Sequence, residues 1–296
     1  MRFVHTFWSK PLYENKFGDF NTQLKNVLSN YLFSAICVKS FGHEIVLFTD
    51  NKGKELLDFI PYDTVYLFNN DLEESIDFAA MIKFETLRHC NLGDIVIDGD
   101  LFLYEKGSYD ILEKDTSDVM FSFIEPEEHI FYRGSRTRFL SELFYKIIDV
   151  PFAYDCYIPD NFKNFHWYNT SLLKINNQKL KDLYLDQYFY HKDILRNIKF
   201  EFSWPDVIIE QYFLRQLCEK NNFKAVPVIE DFPSEKALQK SHEIGFEHLG
   251  GEKDKLIDVV ENSIKQHSQQ LFDIYLEQYN KFKVEDDQVI PDIQES

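Results

Sequence analysis

The sequence predicts an α/β fold built on a mixed, mostly parallel central sheet flanked by helices. Short apolar runs alternate with segments of helical periodicity over roughly the first hundred residues, the pattern of strands joined by crossover helices. Two of those runs are rich in Val and Ile, as strands buried on both faces are. A chain of 296 residues that is 44% hydrophobic and 17% aromatic also has ample apolar surface for such a core.

The first strand is expected over Phe3–Phe7. A helix over Asn21–Phe41 follows, with Leu24, Val27, Leu28, Tyr31, Leu32, Ala35 and Val38 on one face and Gly42 placed to end it. Strands at Glu44–Thr49 and Thr64–Phe68 come next. A helix over Asp77–Cys90 packs Phe78, Met81, Ile82, Phe84 and Leu87 and stops before Gly93; the strand Asp94–Ile97 succeeds it. Past Tyr104 the pattern is less regular, with strands at Val119–Ile124 and Ser171–Ile175 and helices over Arg136–Ile148 and Asp206–Glu219. A long amphipathic helix over Asp254–Lys281 carries Leu256, Val259, Val260, Ile264 and Leu271, a stripe that suits either the domain or a partner. Residues 284–296 are polar and acidic and read as a flexible tail, leaving 1–283 as one domain.

Charge narrows the function. With 50 acidic against 32 basic residues, the net charge of -18 repels a phosphate backbone, so nucleic acid is not an expected partner. The four cysteines, Cys37, Cys90, Cys156 and Cys218, form no CxxC pair and suit buried thiols in a reducing compartment. No leader-like basic and apolar stretch is legible at the N-terminus and no segment reaches membrane-spanning length, so a cytoplasmic protein without a transmembrane segment is expected.

The sharpest chemical feature is Asp94-Ile-Val-Ile-Asp98-Gly99-Asp100. In extended backbone, residues two apart point to one face, so Asp98 and Asp100 project together beyond the carboxyl end of a strand, where open α/β sheets bind ligands. Mg²⁺ or Mn²⁺ takes carboxylate oxygens together with substrate phosphates, and Gly99 removes a side chain that would block close approach. An acidic turn at a strand end accounts for the same residues on local grounds. The second feature is His248-Leu-Gly250-Gly251-Glu-Lys253. An imidazole can complete a site begun by two carboxylates, the glycines admit backbone N–H groups to a diphosphate, and the lysine compensates its charge. A glycine-rich lead into a helix with an incidental histidine fits equally.

Taken in order, these motifs resemble the retaining GT-A glycosyltransferases typified by glycogenin and galactinol synthase, in which an Asp-x-Asp is followed far downstream by His-x-x-Gly and a lysine. Val46-Leu47-Phe48-Thr49-Asp50 is similar to that family's second strand, and Lys83 and Arg88 to its basic residues facing the donor. Tyr168-Asn169-Thr170-Ser171 resembles its Asn-Ala-Gly strand start, and Glu210-Gln211 its Asp-Gln pair. The resemblance covers about residues 1–255 and implies a GT-A, Rossmann-like fold. Three departures stand out: Thr170-Ser171 replaces Ala-Gly, Glu210 replaces Asp, and Lys-Pro-Trp is missing after Lys253. They leave the donor sugar and the stereochemical outcome open.

The resemblance implies a metal-dependent glycosyltransferase. Its donor is a nucleotide-diphosphate sugar, UDP-sugar first, and its acceptor a glycan, a lipid-linked molecule or a protein. Asp98, Asp100 and His248 would hold Mn²⁺ or Mg²⁺. Thr6, Asp50, Lys83, Asp98, Gly251 and Lys253 would bind the nucleotide sugar, and Asn169, Glu210 and Gln211 would position donor sugar and acceptor, with Glu210 the candidate base if configuration inverts. Two other classes remain: a nucleotide-sugar or glycan binding protein without turnover, and a metal-dependent nucleotidyltransferase or phosphohydrolase using the same carboxylates.

Several residues weigh less. His5 and Trp8 suit a nucleotide base or the core, and Phe162, Phe165, His166, Trp167 and Tyr168 a sugar platform or packing. Arg133, Arg136 and Arg138 form a basic cluster, and the acids of Asp63–Asp77 read as a solvated turn.

Overall fold

The computed structural model describes residues 1–14, 18–68, 82–126, 166–195, 208–250 and 253–284. In chain order the elements are β1 (Arg2–Phe7), α1 (Lys10–Tyr13), α2 (Phe20–Ser40), β2 (Glu44–Thr49), α3 (Asn51–Leu57), β3 (Thr64–Leu67), α4 (Ile82–His89), β4 (Ile95–Ile97), β5 (Leu101–Leu103) and α5 (Lys106–Lys114). Then come β6 (Val119–Pro126), β7 (His166–Ile175), α6 (Gln178–Leu195), a π-helical turn (Ile208–Phe213), α7 (Leu214–Asn221), β8 (Ala225–Ile229), α8 (Glu235–Ile244), β9 (Phe246–His248), α9 (Lys253–His267) and α10 (Gln269–Phe282). They group into two compact units.

One unit comprises Arg2–Ile76, Asp98–Leu103 and Glu247–Ser296. Its sheet strands run β3-β2-β1, all parallel, with Phe3 opposite Ile45 and Val46 opposite Thr64. Helix α2 starts at Asp19, whose carboxylate accepts from Thr22 N at 2.8 Å. Leu24, Leu28, Leu32 and Ala35 are fully buried, as their spacing predicts. Asn26, Ser29, Asn30 and Ser34 are buried too, because α2 is covered by β2 and β5 and also by α9 and α10.

The single helix expected over Asp254–Lys281 is two helices. Ser268 is extended (φ -158°, ψ 115°) and its hydroxyl accepts from Leu271 N at 3.3 Å, so it caps a new helix where the old one ends. Of the expected apolar stripe Val260 and Ile264 are buried, whereas Val259 is 58% exposed. The C-terminal helices pack on their own unit: Lys25 pairs with Glu261 at 3.0 Å, and the Gln278 amide donates to the carbonyls of Glu55 and Leu56 at 2.7 and 3.0 Å. The last described residue, Val284, exchanges two 2.8 Å hydrogen bonds with Asn21.

The other unit comprises Met1, Asp77–Ile97 and Tyr104–Phe246. Its sheet strands run β4-β7-β6-β8, with β7 antiparallel to both neighbours and β6 parallel to β8. Helices cover both sets of strands, so the mixed α/β, mostly parallel class expected from the sequence is what the chain adopts. The strand expected at Ser171–Ile175 extends back to His166. The helix expected from Asp206 is, over its described part, a π-helical turn followed by α7, which ends at Asn222 in the left-handed region (φ 57°). The helix expected at 136–148, the Arg133, Arg136 and Arg138 cluster, Phe162, Phe165 and Cys156 lie outside the described residues. Burial pushes the Cys37 and Cys218 thiols up to about 12, in keeping with inert core thiols. No helix among the described residues is long and apolar enough to cross a membrane.

Candidate functional site

Strand β4 is buried throughout and delivers the chain into a tight turn at Asp98-Gly99-Asp100, closed by Leu101 N donating to Asp98 O at 3.1 Å. Asp100 is 6% exposed and Asp98 half-buried. Leu249 N donates to the Asp100 carbonyl at 3.2 Å, which fixes the segment carrying His248 beside the turn. Gly250 follows in the left-handed region (φ 52°), a conformation that favours glycine. As a result Asp98, Asp100 and His248 each present a ligand atom within 4.8 Å of the others.

Lys253, at the start of α9, lies with Nζ 2.9 Å from Asp100 Oδ2, and His248 Nε2 is 3.6 Å from the same oxygen. That buried oxygen has no hydrogen bond of good geometry, and the Lys253 ammonium beside it offsets its charge while leaving acceptor capacity. Burial raises the Asp100 carboxyl, but the Lys253 and His248 charges outweigh it and hold the group below its ordinary value. The charge of Asp100 in turn outweighs desolvation at Lys253 and raises its ammonium. Two carboxylates with an imidazole and an oxygen of unfilled capacity make a donor set that fits a divalent cation of the Mg²⁺ or Mn²⁺ kind.

Gly99 has a packing reason that its place in the motif did not show. A methyl there would meet the Tyr31 ring at 2.2 Å, so the missing side chain makes room for Tyr31. Tyr31 donates from its hydroxyl to the Thr6 carbonyl at 2.6 Å and supports the acidic turn; burial raises its pKa well above the ordinary value, and Asp98 and Asp100 add to the shift. The sequence showed Tyr31 only as part of an apolar stripe, and no sequence signal singles it out, because its place against Gly99 is set by packing.

Asp50, expected at the nucleoside, caps α3 by accepting from Gly53 N at 2.7 Å and also accepts from the Ser9 hydroxyl at 2.6 Å. His5 is a core residue. Its Nδ1 lies 2.8 Å from the Tyr62 hydroxyl and its Nε2 3.0 Å from Ser34 Oγ. Since Ser34 donates its proton to Leu101 O, His5 must donate from Nε2 and accept at Nδ1, which fixes the neutral tautomer. Burial, opposed by the Asp100 charge, lowers its pKa from 6.5 to about 3. Trp8 is also buried.

The other expected residues lie in the other unit. Lys83 is buried, pairs with Glu210 Oε1 at 2.5 Å and donates to the Thr170 carbonyl at 3.0 Å. Thr170 Oγ1 donates to the same Glu210 oxygen at 2.5 Å, so two of the departures from the family pattern, Thr170 and Glu210, touch each other. Asn169 donates to Glu125 at 2.6 Å, and Ser171 shares a 2.6 Å hydrogen bond with Ser122 at the bulge in β6. Gln211 is 9% exposed and its Oε1 has no hydrogen-bond partner among the described residues. Trp167 is fully buried and Tyr168 stacks on Phe121 at 4.0 Å, which is packing. Gly251 lies outside the described residues.

A family model described as "Family of unknown function (DUF6734)" matches residues 1–285. No match was found among curated proteins. Among solved structures, HddC from Yersinia pseudotuberculosis is 15% identical over 42% of this chain and 59% of its own, with a TM-score of 0.24. The 4-diphosphocytidyl-2C-methyl-D-erythritol synthase of Anaerococcus prevotii is 13% identical over 80% and 94%, with a TM-score of 0.35. The galactosyltransferase LgtC, in complex with donor and acceptor sugar analogs, is 8% identical over 97% and 98%, with a TM-score of 0.42.

Proposed function

We propose, from the premise that the chain belongs to the DUF6734 family of unknown function, that it is a metal-dependent glycosyltransferase using a nucleotide-diphosphate sugar, UDP-sugar first. The observation that carries this reading is the convergence of Asp98 and Asp100 with His248 and Lys253, two segments far apart in sequence and joined by the fold. A divalent ion bound there would supply charge stabilisation to a departing nucleoside diphosphate. Asp100 acts as the buried anchor, while half-buried Asp98 remains reachable. Lys253, its side chain 42% exposed, brings positive charge to the same place.

Thr6, next to last in β1, and Asp50, just after β2, are assigned to the nucleoside because they stand at the carboxyl ends of parallel strands. Gly251 is assigned to the diphosphate. Lys83, Asn169, Glu210 and Gln211 are assigned to donor sugar and acceptor on the family resemblance alone.

The test is calorimetric titration of UDP, GDP and CDP, with and without Mn²⁺, into wild type and Asp100→Asn. One nucleotide should bind more tightly with Mn²⁺, and the substitution should weaken that metal-dependent part by more than about tenfold. Binding of no nucleotide, or equal binding by the variant, would refute the assignment. With donor and acceptor panels, release of nucleoside diphosphate is expected; pyrophosphate instead would mean nucleotidyl transfer.

A further inference from the structure

We propose that Lys253 is an internal counter-cation that competes with the divalent ion for Asp100, so that cation binding releases the lysine ammonium toward an anionic ligand. The inference rests on the reading of Asp98, Asp100 and His248 as a divalent-cation site, and concerns how that site is regulated.

The contested atom is a single oxygen. Asp100 Oδ2 lies 2.9 Å from Lys253 Nζ and 3.6 Å from His248 Nε2, so the oxygen facing the imidazole donor is also the one that holds the ammonium. A monovalent and a divalent cation sharing one carboxylate oxygen sit close enough to repel strongly, and the divalent charge prevails where two carboxylates converge. The ammonium must then move. It can do so because the Lys253 side chain is 42% exposed, unlike that of Asp100 at 8%.

The backbone under it is fixed. Neighbouring Asp254 accepts from the buried Asn26 amide of α2 at 2.5 Å, and Glu261 further along α9 pairs with Lys25 at 3.0 Å. Displacement is therefore a swing of the side chain from a fixed point, which keeps the released ammonium within a side-chain length of the cation. An anionic group held by that cation, such as a diphosphate, is the partner this charge arrangement selects. The ordering that follows is cation before, or together with, the anionic ligand.

The experiment is titration of Mn²⁺ alone into the full chain, read by calorimetry and by the loss of the free Mn²⁺ resonance signal. Lys253→Met should tighten Mn²⁺ binding by about tenfold or more, the scale of one well-placed charge contact. Lys255→Met, which removes the same charge from an exposed neighbouring position, should change it less than about threefold. Saturating Mn²⁺ should also accelerate acetylation of Lys253, followed by peptide mass spectrometry, more than that of Lys255.

Unchanged or weaker Mn²⁺ binding in Lys253→Met overturns the inference, as does equal tightening in both variants or unchanged Lys253 acetylation. Retention of wild-type Mn²⁺ affinity by Asp100→Asn removes the site itself. The glycosyltransferase reading fails separately, because no nucleotide enters this titration.

Discussion

A methyl group added at Gly99 would sit 2.2, 2.4 and 2.5 Å from three carbons of the Tyr31 ring, where ordinary contact begins at 3.4 Å. Ring and turn would have to separate by about 1.2 Å, the difference between 3.4 and 2.2 Å. Tyr31 does not yield freely, since its hydroxyl is bonded to the Thr6 carbonyl at 2.6 Å and its ring meets His5 and Phe7 edge-on at 5.1 and 5.4 Å. Overpacking of this kind costs about 1–3 kcal/mol, and losing the buried hydrogen bond adds about 1, so Gly99→Ala should destabilise by about 2–4 kcal/mol. The displaced turn should also weaken Mn²⁺ binding. Urea unfolding and Mn²⁺ calorimetry read the two effects. In a Tyr31→Ala background, which itself costs about 3–5 kcal/mol, adding Gly99→Ala should cost less than about 1 kcal/mol because the clash is gone. A Gly99→Ala protein within about 0.5 kcal/mol of wild type, or an equal cost in both backgrounds, would refute the reasoning.

Two further outcomes are expected. His5 is lowered from 6.5 to about 3 by burial, so between these values the unfolded chain binds more protons than the folded one. The stability it contributes is full above pH 6.5 and is lost as pH falls toward about 3, with a slope of up to about 1.4 kcal/mol per unit. His5→Asn should flatten that slope by about one proton in urea unfolding between about pH 4 and 6, and identical slopes would count against it. Glu210→Gln removes the counter-charge of buried Lys83 and should cost about 3–5 kcal/mol, whereas Lys83→Met with Glu210→Gln should cost less than the two single changes together. Simple additivity of the two would argue against a coupled pair.

Much of the scaffold was legible because its signals are local. The Val and Ile runs at 45–48 and 95–97 are buried strands, and the spacing of Leu24, Leu28 and Leu32 is the core face of α2. Short elements such as β5 and α3, and the helix α6 with Leu180, Tyr184 and Tyr188 buried, were not distinguished, because a few apolar residues fit several periods. The break at Ser268 was missed because a serine cap leaves the apolar spacing on both sides nearly intact.

By itself the sequence placed two carboxylates just past a buried strand, although they are brought together there by a tight turn and not by the extended alternation that was expected. It could offer His248 and Lys253 as partners of that pair from their chemistry and from a resemblance, but a glycine-rich lead into a helix accounted for the same residues. That the imidazole and the ammonium reach the same oxygen of Asp100, that Tyr31 packs against Gly99, and that Lys83, Thr170 and Glu210 close on one another were decided by tertiary structure. The physical reason is that backbone periodicity is written in neighbouring residues, whereas the partner of a buried charge is set by which distant segments packing brings within a few ångströms of it.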